Sequence, residues 1–321
     1  MNQAATTPLS PPAVNLRVGV VGSGYWLRVL GMLFRRAELP HELIDLGARS
    51  AKVAWVLRRG WRRFDVIHLI GGLDWRLHTI LGMAGRRVVV HWIGSDVMSL
   101  RNAGDRGWPG RLQCRCAYGY TAAHIADSPD LIAELRHLGI EATVVRLLPE
   151  RIEAEIQPLP PKFTVLSYWF DSPERRDFYG GDVVLQLARE FPQVEFRVLQ
   201  ATGTGETPPP NLTFLGYQQD MEQIYADSSA LIRLPKHDSM SAMVLEMLAR
   251  GRYVIYSKPM EGCHYATNLD TARTALRELM TRSEPNTAGA AMVRREYSLA
   301  REVESLAGFY RGLASSGGTR H

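Results

Sequence analysis

Apolar residues recur along the chain in short β-branched runs that stop at glycine. Each run is followed by a longer stretch in which apolar positions return every three or four residues. The first run, Val18-Gly-Val-Val-Gly22, passes through Ser23-Gly24 into a helical stretch over 25–36. A second strand is expected at 43–46, a helix over 49–63, and a third strand at 64–70 that ends on Gly71-Gly72. The alternation continues with a helix over 77–84 and a strand over 87–93. A helix over 128–138, capped by Ser128 or Asp127 and stopped by Gly139, and a strand over 144–148 complete this half.

Four prolines between 149 and 161 then interrupt both periods. Beyond them strands are expected at 163–168, 194–199, 212–215, 230–234 and 253–256, with helices over 182–191, 221–226 and 241–249. A last amphipathic helix runs over 288–313. Strands alternating with helices of this length build parallel sheets with right-handed crossovers. The chain is therefore predicted to be α/β, with two Rossmann-like domains whose parallel sheets face each other across a cleft. The first domain spans 17–150 after a flexible lead-in at 1–16, a linker spans 151–161, the second domain spans 162–287, and the helix at 288–314 packs back across the domains. Such sheets bind ligands at the carboxyl ends of their strands, so the cleft is the expected site.

Composition narrows the classes. The 321 residues are 45% apolar and 22% charged, ordinary for a globular protein. Apolar runs such as Val88–Val90 are bounded by charged or polar residues, here Arg87 and His91, and none approaches the roughly twenty positions of a membrane span. The opening MNQAATTPLSPPAVN lacks the basic-then-apolar order of a secretory signal, so a cytoplasmic location is expected. Three cysteines exclude a disulfide framework, and Cys114-Arg-Cys116 has no second Cys or His pair at zinc-ligand spacing, so no metal site is expected. The net charge of +5 is uneven, with 20 Lys and Arg against 12 Asp and Glu up to residue 151, and 18 against 21 beyond it. A basic first half is compatible with nucleic acid, phosphates or an anionic membrane.

The segment most suggestive of chemistry is Leu234-Pro-Lys-His-Asp-Ser-Met-Ser-Ala-Met-Val-Leu-Glu246, which passes from a strand into a helix. Asp238 and Ser239 are expected at the helix N-terminus, where the N–H groups of 239–242, including Ser239, Met240 and Ser241, suit a diphosphate. Glu246 follows about two turns on, a carboxylate amid Met243, Val244, Leu245, Met247 and Leu248. With Ala249-Arg-Gly251 and the strand Arg252-Tyr-Val-Ile-Tyr256, the segment resembles the Glu-x7-Glu region of retaining glycosyltransferases of the GT-B type, family four being the nearest match. Asp238 stands where that pattern has its first Glu.

Three further stretches carry the resemblance. Tyr179-Gly-Gly-Asp182 is similar to the family's Lys-Gly-x-Asp, with Tyr in place of Lys. There the resemblance implies two cations on the donor diphosphate, one from Arg175 or Arg176 and another from Arg233 or Lys236. The turn Gly22-Ser23-Gly24 suits the family's glycine-rich approach to donor phosphates or sugar. Val90-His-Trp-Ile-Gly-Ser-Asp96 resembles the family's His-Gly-Ser-Asp stretch, with Ile93 at the histidine position and His91 two residues earlier on the same strand face.

The resemblance implies transfer of a sugar, with retention and without an obligatory metal or other cofactor, from a nucleotide diphosphate donor to a sugar or lipid-linked acceptor in polysaccharide, glycolipid or other glycoconjugate synthesis. Glu246 would take the ribose hydroxyls and Asp238 the transferred sugar, while Asp96 and His91 would orient sugar or acceptor. Two other readings stay open: a non-catalytic sugar-nucleotide- or partner-binding protein on the same fold, and an NAD-linked oxidoreductase resting on Gly22-Ser23-Gly24 and Asp45. The latter fingerprint lacks its third glycine, since Leu27 stands there. Finally, residues 53–64 interleave Trp55, Trp61 and Phe64 with four arginines. This suits a peripheral position on an anionic membrane, at its inner face. No nucleic-acid-binding module accompanies the stretch.

Overall fold

The computed structural model describes residues 16–315 except 73–74, 105–106, 109–111, 113–117, 119–120 and 206. Residues 1–15 of the lead-in and the Cys114 and Cys116 pair lie outside the described residues. The chain forms two compact units, one up to Leu147 together with the chain from Ala300, the other Leu148–Leu299.

The first unit holds strands β1 (Val18–Gly22), β2 (His41–Asp45), β3 (Val66–Ile70), β4 (Arg87–Trp92), β5 (Thr121–Ala126) and β6 (Thr143–Val144). They form one parallel sheet in the order β2-β1-β3-β4-β5-β6. Helices α1 (Gly24–Arg36), α2 (Arg49–Leu57), α3 (Trp75–Met83), α4 (Ser95–Gly104) and α5 (Pro129–His137) make the crossovers. Ser128 caps α5 by accepting from Leu131 N, as its place before Pro129 suggests. Val88, Val90 and Trp92 of β4 join Ile67, Leu81, Val97 and Leu131 in one core cluster. The helix expected over 49–63 ends at Leu57: Arg59 takes a left-handed φ of 54°, and a short 3-10 turn covers Gly60–Arg63. Glycine is required there, because a Cβ on Gly60 would stand 2.6 Å from Trp55 Nε1.

In the second unit strands β7 (Thr164–Trp169), β8 (Glu195–Gln200), β9 (Leu212–Gly216), β10 (Ala230–Arg233), β11 (Tyr253–Tyr256) and β12 (His264–Tyr265) form a second parallel sheet. Its order is β12-β11-β10-β7-β8-β9. Helices α6 (Pro173–Phe178), α7 (Gly181–Glu190), α8 (Glu222–Ala226), α9 (Ala242–Ala249), α10 (Leu269–Leu279) and α11 (Thr287–Glu296) accompany it. Val165, Trp169, Phe196, Ile232 and Ile255 from the sheet pack with Val184, Leu187 and Leu276 from α7 and α10. Each such aliphatic side chain contributes about 1.5–3 kcal/mol by leaving water.

Two expectations change here. The single last helix is two, because Tyr297 leaves helical geometry at φ −119°, ψ 80° and ends α11. Helix α12 (Leu299–Ser315) then begins. The proline-rich stretch at 151–161 is held firmly to the second unit. Arg250 and Arg252, each 1% exposed, reach back to it. Arg250 Nη1 donates to Arg151 O at 2.9 Å, and Arg252 Nη1 to Pro158 O at 2.6 Å and Gln157 O at 3.2 Å.

Candidate functional site

Neighbouring strands β7 and β10 send the chain in opposite directions along the second sheet, β7 toward β8 and β10 toward β11. Their exit loops therefore part and leave a crevice at the carboxyl ends, where a ligand site is expected in an open α/β sheet. The two strands are locked in register, Ile232 against Ser167, whose Oγ donates to the Ile232 carbonyl at 2.9 Å. That register sets Arg233, the last residue of β10, beside the loop that leaves β7.

Arg233 stands where these two loops part. Its side chain is 11% exposed, and its Nε donates to Asp238 Oδ2 at 2.8 Å. The guanidinium lies 5.4 Å from the ring centres of both Tyr168 and Tyr179. Burial alone would lower its pKa, but the Asp238 carboxylate outweighs that and raises it, so Arg233 is a fixed cation. Tyr256 donates to the same Asp238 Oδ2 at 3.0 Å. Among the described residues, Arg233 Nη1 and Nη2 and Asp238 Oδ1 have no hydrogen-bond partner. The pair thus leaves four N–H groups and one carboxylate oxygen without a partner among the described residues. Burial pushes the Tyr168 hydroxyl up to about 12, so it stays protonated at any ordinary pH.

Helix α9 starts later than the sequence suggests. Its N-cap is Ser241, whose hydroxyl accepts from Val244 N at 3.4 Å. Asp238 and Ser239 therefore lie in the loop ahead of the helix, because the side chain of Asp238 is taken by Arg233 and Tyr256. Ser239, Met240 and Ser241 are buried, at 6%, 5% and 5% exposure. Lys258, just past β11, donates through Nζ to Ser239 O at 2.7 Å and braces that loop. Glu246, 3% exposed, accepts a short hydrogen bond from the Tyr225 hydroxyl of α8.

The other expected cations divide. Arg175, exposed on α6, lies 4.7 Å from the ring centre of Phe170 and 5.3 Å from that of Tyr179, with no carboxylate partner among the described residues. Arg176 instead turns inward, its Cγ under Gly181, and pairs with Asp182 at 2.9 Å. Lys236 pairs with Asp177 at the surface. Gly180, at φ 72°, caps α7 so closely to Leu234 that a Cβ would stand 2.7 Å from that residue's Cβ. Gly180 thus brings this loop against Leu234, just past β10, while Gly181 makes room for Arg176 and Trp169.

In the first unit the corresponding parting lies between β1 and β3, beside Gly22, Ser23 and Gly24. Gly24 begins α1 at φ 60° with open space where a Cβ would be. Asp45 accepts from Gly47 N at 3.1 Å and closes its own turn. Asp96, 1% exposed, is folded onto backbone: it accepts from Gly72 N and Gly94 N at 2.8 Å, Val97 N at 2.9 Å and Ile93 N at 3.2 Å. Burial pushes its pKa up and those N–H groups pull against it. The carboxylate ties the turn after β3 to the start of α4. His91 is fully buried, with Nε2 on Val145 O at 2.9 Å and Nδ1 on His68 Nε2 at 3.2 Å. Burial lowers its pKa to about 3.

Tyr168, Tyr225, Tyr256 and Lys258 are additions to the expected set, and the positions of Tyr168 and Tyr256 near strand ends are the only sequence signal for them. Among the described residues no three His, Cys, Asp or Glu side chains gather in a metal-ligating group.

No protein-family model and no curated protein matches the chain. Solved structures do. Sucrose-phosphate synthase from Thermosynechococcus elongatus superposes with a TM-score of 0.72 at 11% identity, over 94% of this chain and 99% of that one. Anabaena HepE, crystallised with UDP-glucose, gives 0.68 at 12% identity, over 92% and 99%. The lipopolysaccharide outer core galactosyltransferase WaaB gives 0.61 at 13% identity, over 91% and 99%. The chain has the GT-B fold. Within that GT-B fold, the crevice around Arg233 lies in the second of the two Rossmann-like units.

Proposed function

We propose that the chain is a retaining glycosyltransferase whose second unit binds a nucleoside diphosphate sugar. The observation that carries this is the largely buried Arg233 cation, whose terminal nitrogens, like the Asp238 oxygen beside them, have no partner among the described residues. A diphosphate fits the first and a sugar hydroxyl the second. Arg233 then supplies the positive charge that the family pattern draws from the lysine replaced here by Tyr179, and Asp238 holds it in place. Arg175 extends the cationic surface outward, with Lys236 at its edge. The N–H groups at the start of α9, with Ser239, Met240 and Ser241, face the diphosphate, and Glu246 meets the ribose hydroxyls from its bond with Tyr225.

In the reaction the bond from the sugar's anomeric carbon to the diphosphate oxygen breaks. A bond from that carbon to an acceptor oxygen forms on the same face, and the acceptor proton passes to the leaving diphosphate. Fixed cations stabilise the charge that develops on the leaving group, the largest single contribution available without a protein-held metal or cofactor. The first unit contributes the acceptor side: Gly22, Ser23 and Gly24 leave room for a ligand, and Asp96, with His91 behind it, shapes the loops. Two of the structures it resembles hold UDP-glucose, or UDP with glucose, which makes UDP the first nucleotide to try. A non-catalytic binding protein is the second reading, favoured by the engagement of Asp238 with Arg233 and Tyr256.

The test is calorimetric titration with UDP, GDP, ADP and NAD, together with mass spectrometry for slow hydrolysis of the matching sugar donor. The expected result is micromolar binding of one nucleoside diphosphate, weakened at least tenfold by Arg175→Ala and by Glu246→Ala, with sugar release. Arg175 is exposed, so its variant folds whatever becomes of Glu246. Binding without release under any acceptor tried supports the second reading, and binding of NAD or of no nucleotide sinks glycosyl transfer and sugar-nucleotide binding alike.

A further inference from the structure

Among the described residues, large apolar side chains stand exposed at nine positions, and Val53, Leu57, Ile80 and Met83 belong to just two helices, α2 and α3. Helix α2 crosses from β2 past β1 to β3, and α3 crosses from β3 to β4, so both step the same way along the sheet. Right-handed crossovers place both helices on one face. Val53 and Leu57 are four apart on α2 and share a stripe, at 51% and 75% exposure. A water-facing stripe of this kind is unusual in a crossover helix, whose polar side ordinarily faces out.

Arginines follow that stripe directly, from Arg58 at the end of α2 through the turn to Arg63. A depression of about 540 Å³ opens at the end of α2, lined by Trp55, Arg58, Arg59, Gly60, Arg62 and Arg63. Arg63 pairs with Glu42, whereas Arg58, Arg59 and Arg62 have no carboxylate partner among the described residues. Arg62 and Arg86 lie 5.4 and 5.3 Å from the Trp61 ring centre, which links the turn after α2 to the end of α3. Trp55 packs under Gly60, and its indole N–H has no hydrogen-bond partner among the described residues. Arg59 keeps its left-handed φ of 54° without being glycine or asparagine.

We propose that this face of the first unit docks on an anionic lipid bilayer, with lipid phosphates seated among Arg58, Arg59 and Arg62 and the side chains of Val53 and Leu57 entering the acyl boundary. Aliphatic groups flanking unpaired arginines decide the occupant: a bilayer uses both, while a nucleic acid backbone uses only the cations. The surface is independent of the Arg233 crevice. It is read without a sugar donor, so its failure and the failure of glycosyl transfer are separate results.

The experiment is co-sedimentation of the full chain with vesicles of pure phosphatidylcholine and of phosphatidylcholine with 30% phosphatidylglycerol, at low and physiological salt. Binding to the anionic vesicles alone is expected. Each arginine near such a surface contributes about a fivefold gain in partitioning, so Arg58→Glu with Arg59→Glu and Arg62→Glu should lower it on the order of a hundredfold or more. Val53→Ser with Leu57→Ser should remove the part that survives high salt, and circular dichroism checks that each variant is folded. Inorganic phosphate at millimolar concentration, offered as competitor, should leave vesicle binding nearly intact, whereas full displacement would identify a soluble anion site and overturn docking. Equal binding to both vesicle types, no binding to either, or binding only to a single-stranded oligonucleotide overturns it as well.

Discussion

His68 donates through Nε2 to His91 Nδ1 across 3.2 Å in the core of the first unit. The direction follows from the far end. Val145 O can only accept, so His91 Nε2, at 2.9 Å from it, carries the proton and neutral His91 accepts at Nδ1. His68 must then accept at Nδ1, from the Tyr310 hydroxyl at 2.8 Å. One proton per group satisfies the whole chain, and it fastens α12 to β3 and β4. Tyr310→Phe leaves a buried ring nitrogen without a donor, and urea denaturation should show a loss of about 1–3 kcal/mol.

Acid should break this chain. Burial, reinforced at His68 by the neighbouring His91, holds both rings below the usual 6.5, and His91 at about 3. The unfolded state therefore binds more protons below pH 6.5, and stability falls as the pH drops from there toward 3. Asp127 opposes this in part. Burial lifts its pKa from 3.8 to about 7, helped by Glu302 and Asp96, so its contribution is full below pH 3.8 and lost as the pH rises through 7. Asp127→Asn, which keeps an acceptor for Leu147 N, should be more stable than the parent at pH 8 by a few kcal/mol, on the order of the shift itself. That advantage should vanish by pH 4. Equal differences at both pH values would show that Asp127 is not linked to protons.

Arg233 and Asp238 form a largely buried pair, at 11% and 14% side-chain exposure. Asp238→Ala should cost about 3–5 kcal/mol by leaving the cation unpaired, and Arg233→Met should cost less. The double variant should be more stable than the sum of the two losses, by at least about 1 kcal/mol, in a double-mutant cycle read by chemical denaturation. Strict additivity would mean the two do not interact.

How far the sequence discloses such features varies with their range. The strands were readable because β-branched runs buried on both faces leave a continuous apolar signature, and the GT-B fold was what the resemblance of residues 234–256 to the family's motif implied. Helix α6 was not, since its signal is only Ser172 accepting from Arg175 N ahead of six residues. Helix α10 carries a readable cap, Asn268 with Thr271, that the apolar pattern hid. The inward turn of His91 could not be read, because a strand covered on both sides gives no clue to which face meets solvent. The Arg233–Asp238 bond depends on how the loop after β10 folds back, which placed the helix start at Ser241 and not at Asp238.

Gly180→Ala tests the loop against β10. With φ at 72° and a Cβ position 2.7 Å from Leu234 Cβ, alanine must strain the backbone and push that side chain. Thermal unfolding should show a loss above about 1 kcal/mol, with weaker nucleoside diphosphate binding. A variant as stable and as competent as the parent would show that Arg233 does not need this loop held close.

Arg252→Ala should free the proline-rich stretch. The Arg252 guanidinium holds the carbonyls of Gln157, Pro158, Tyr225 and Ala226. Limited proteolysis should cut the variant within 151–161 at least tenfold faster than the parent, and no change would mean the stretch is fixed by Ile152 and its neighbours instead.

Helix α12 belongs with strands that precede it by more than the whole second unit. The first unit leaves the ribosome before the second and yet waits longer for its core to close, since Tyr310 reaches His68 only after Leu148–Leu299 has been made. Synthesis and completion run in opposite order: the second unit can finish while the first still exposes the seat of its final helix.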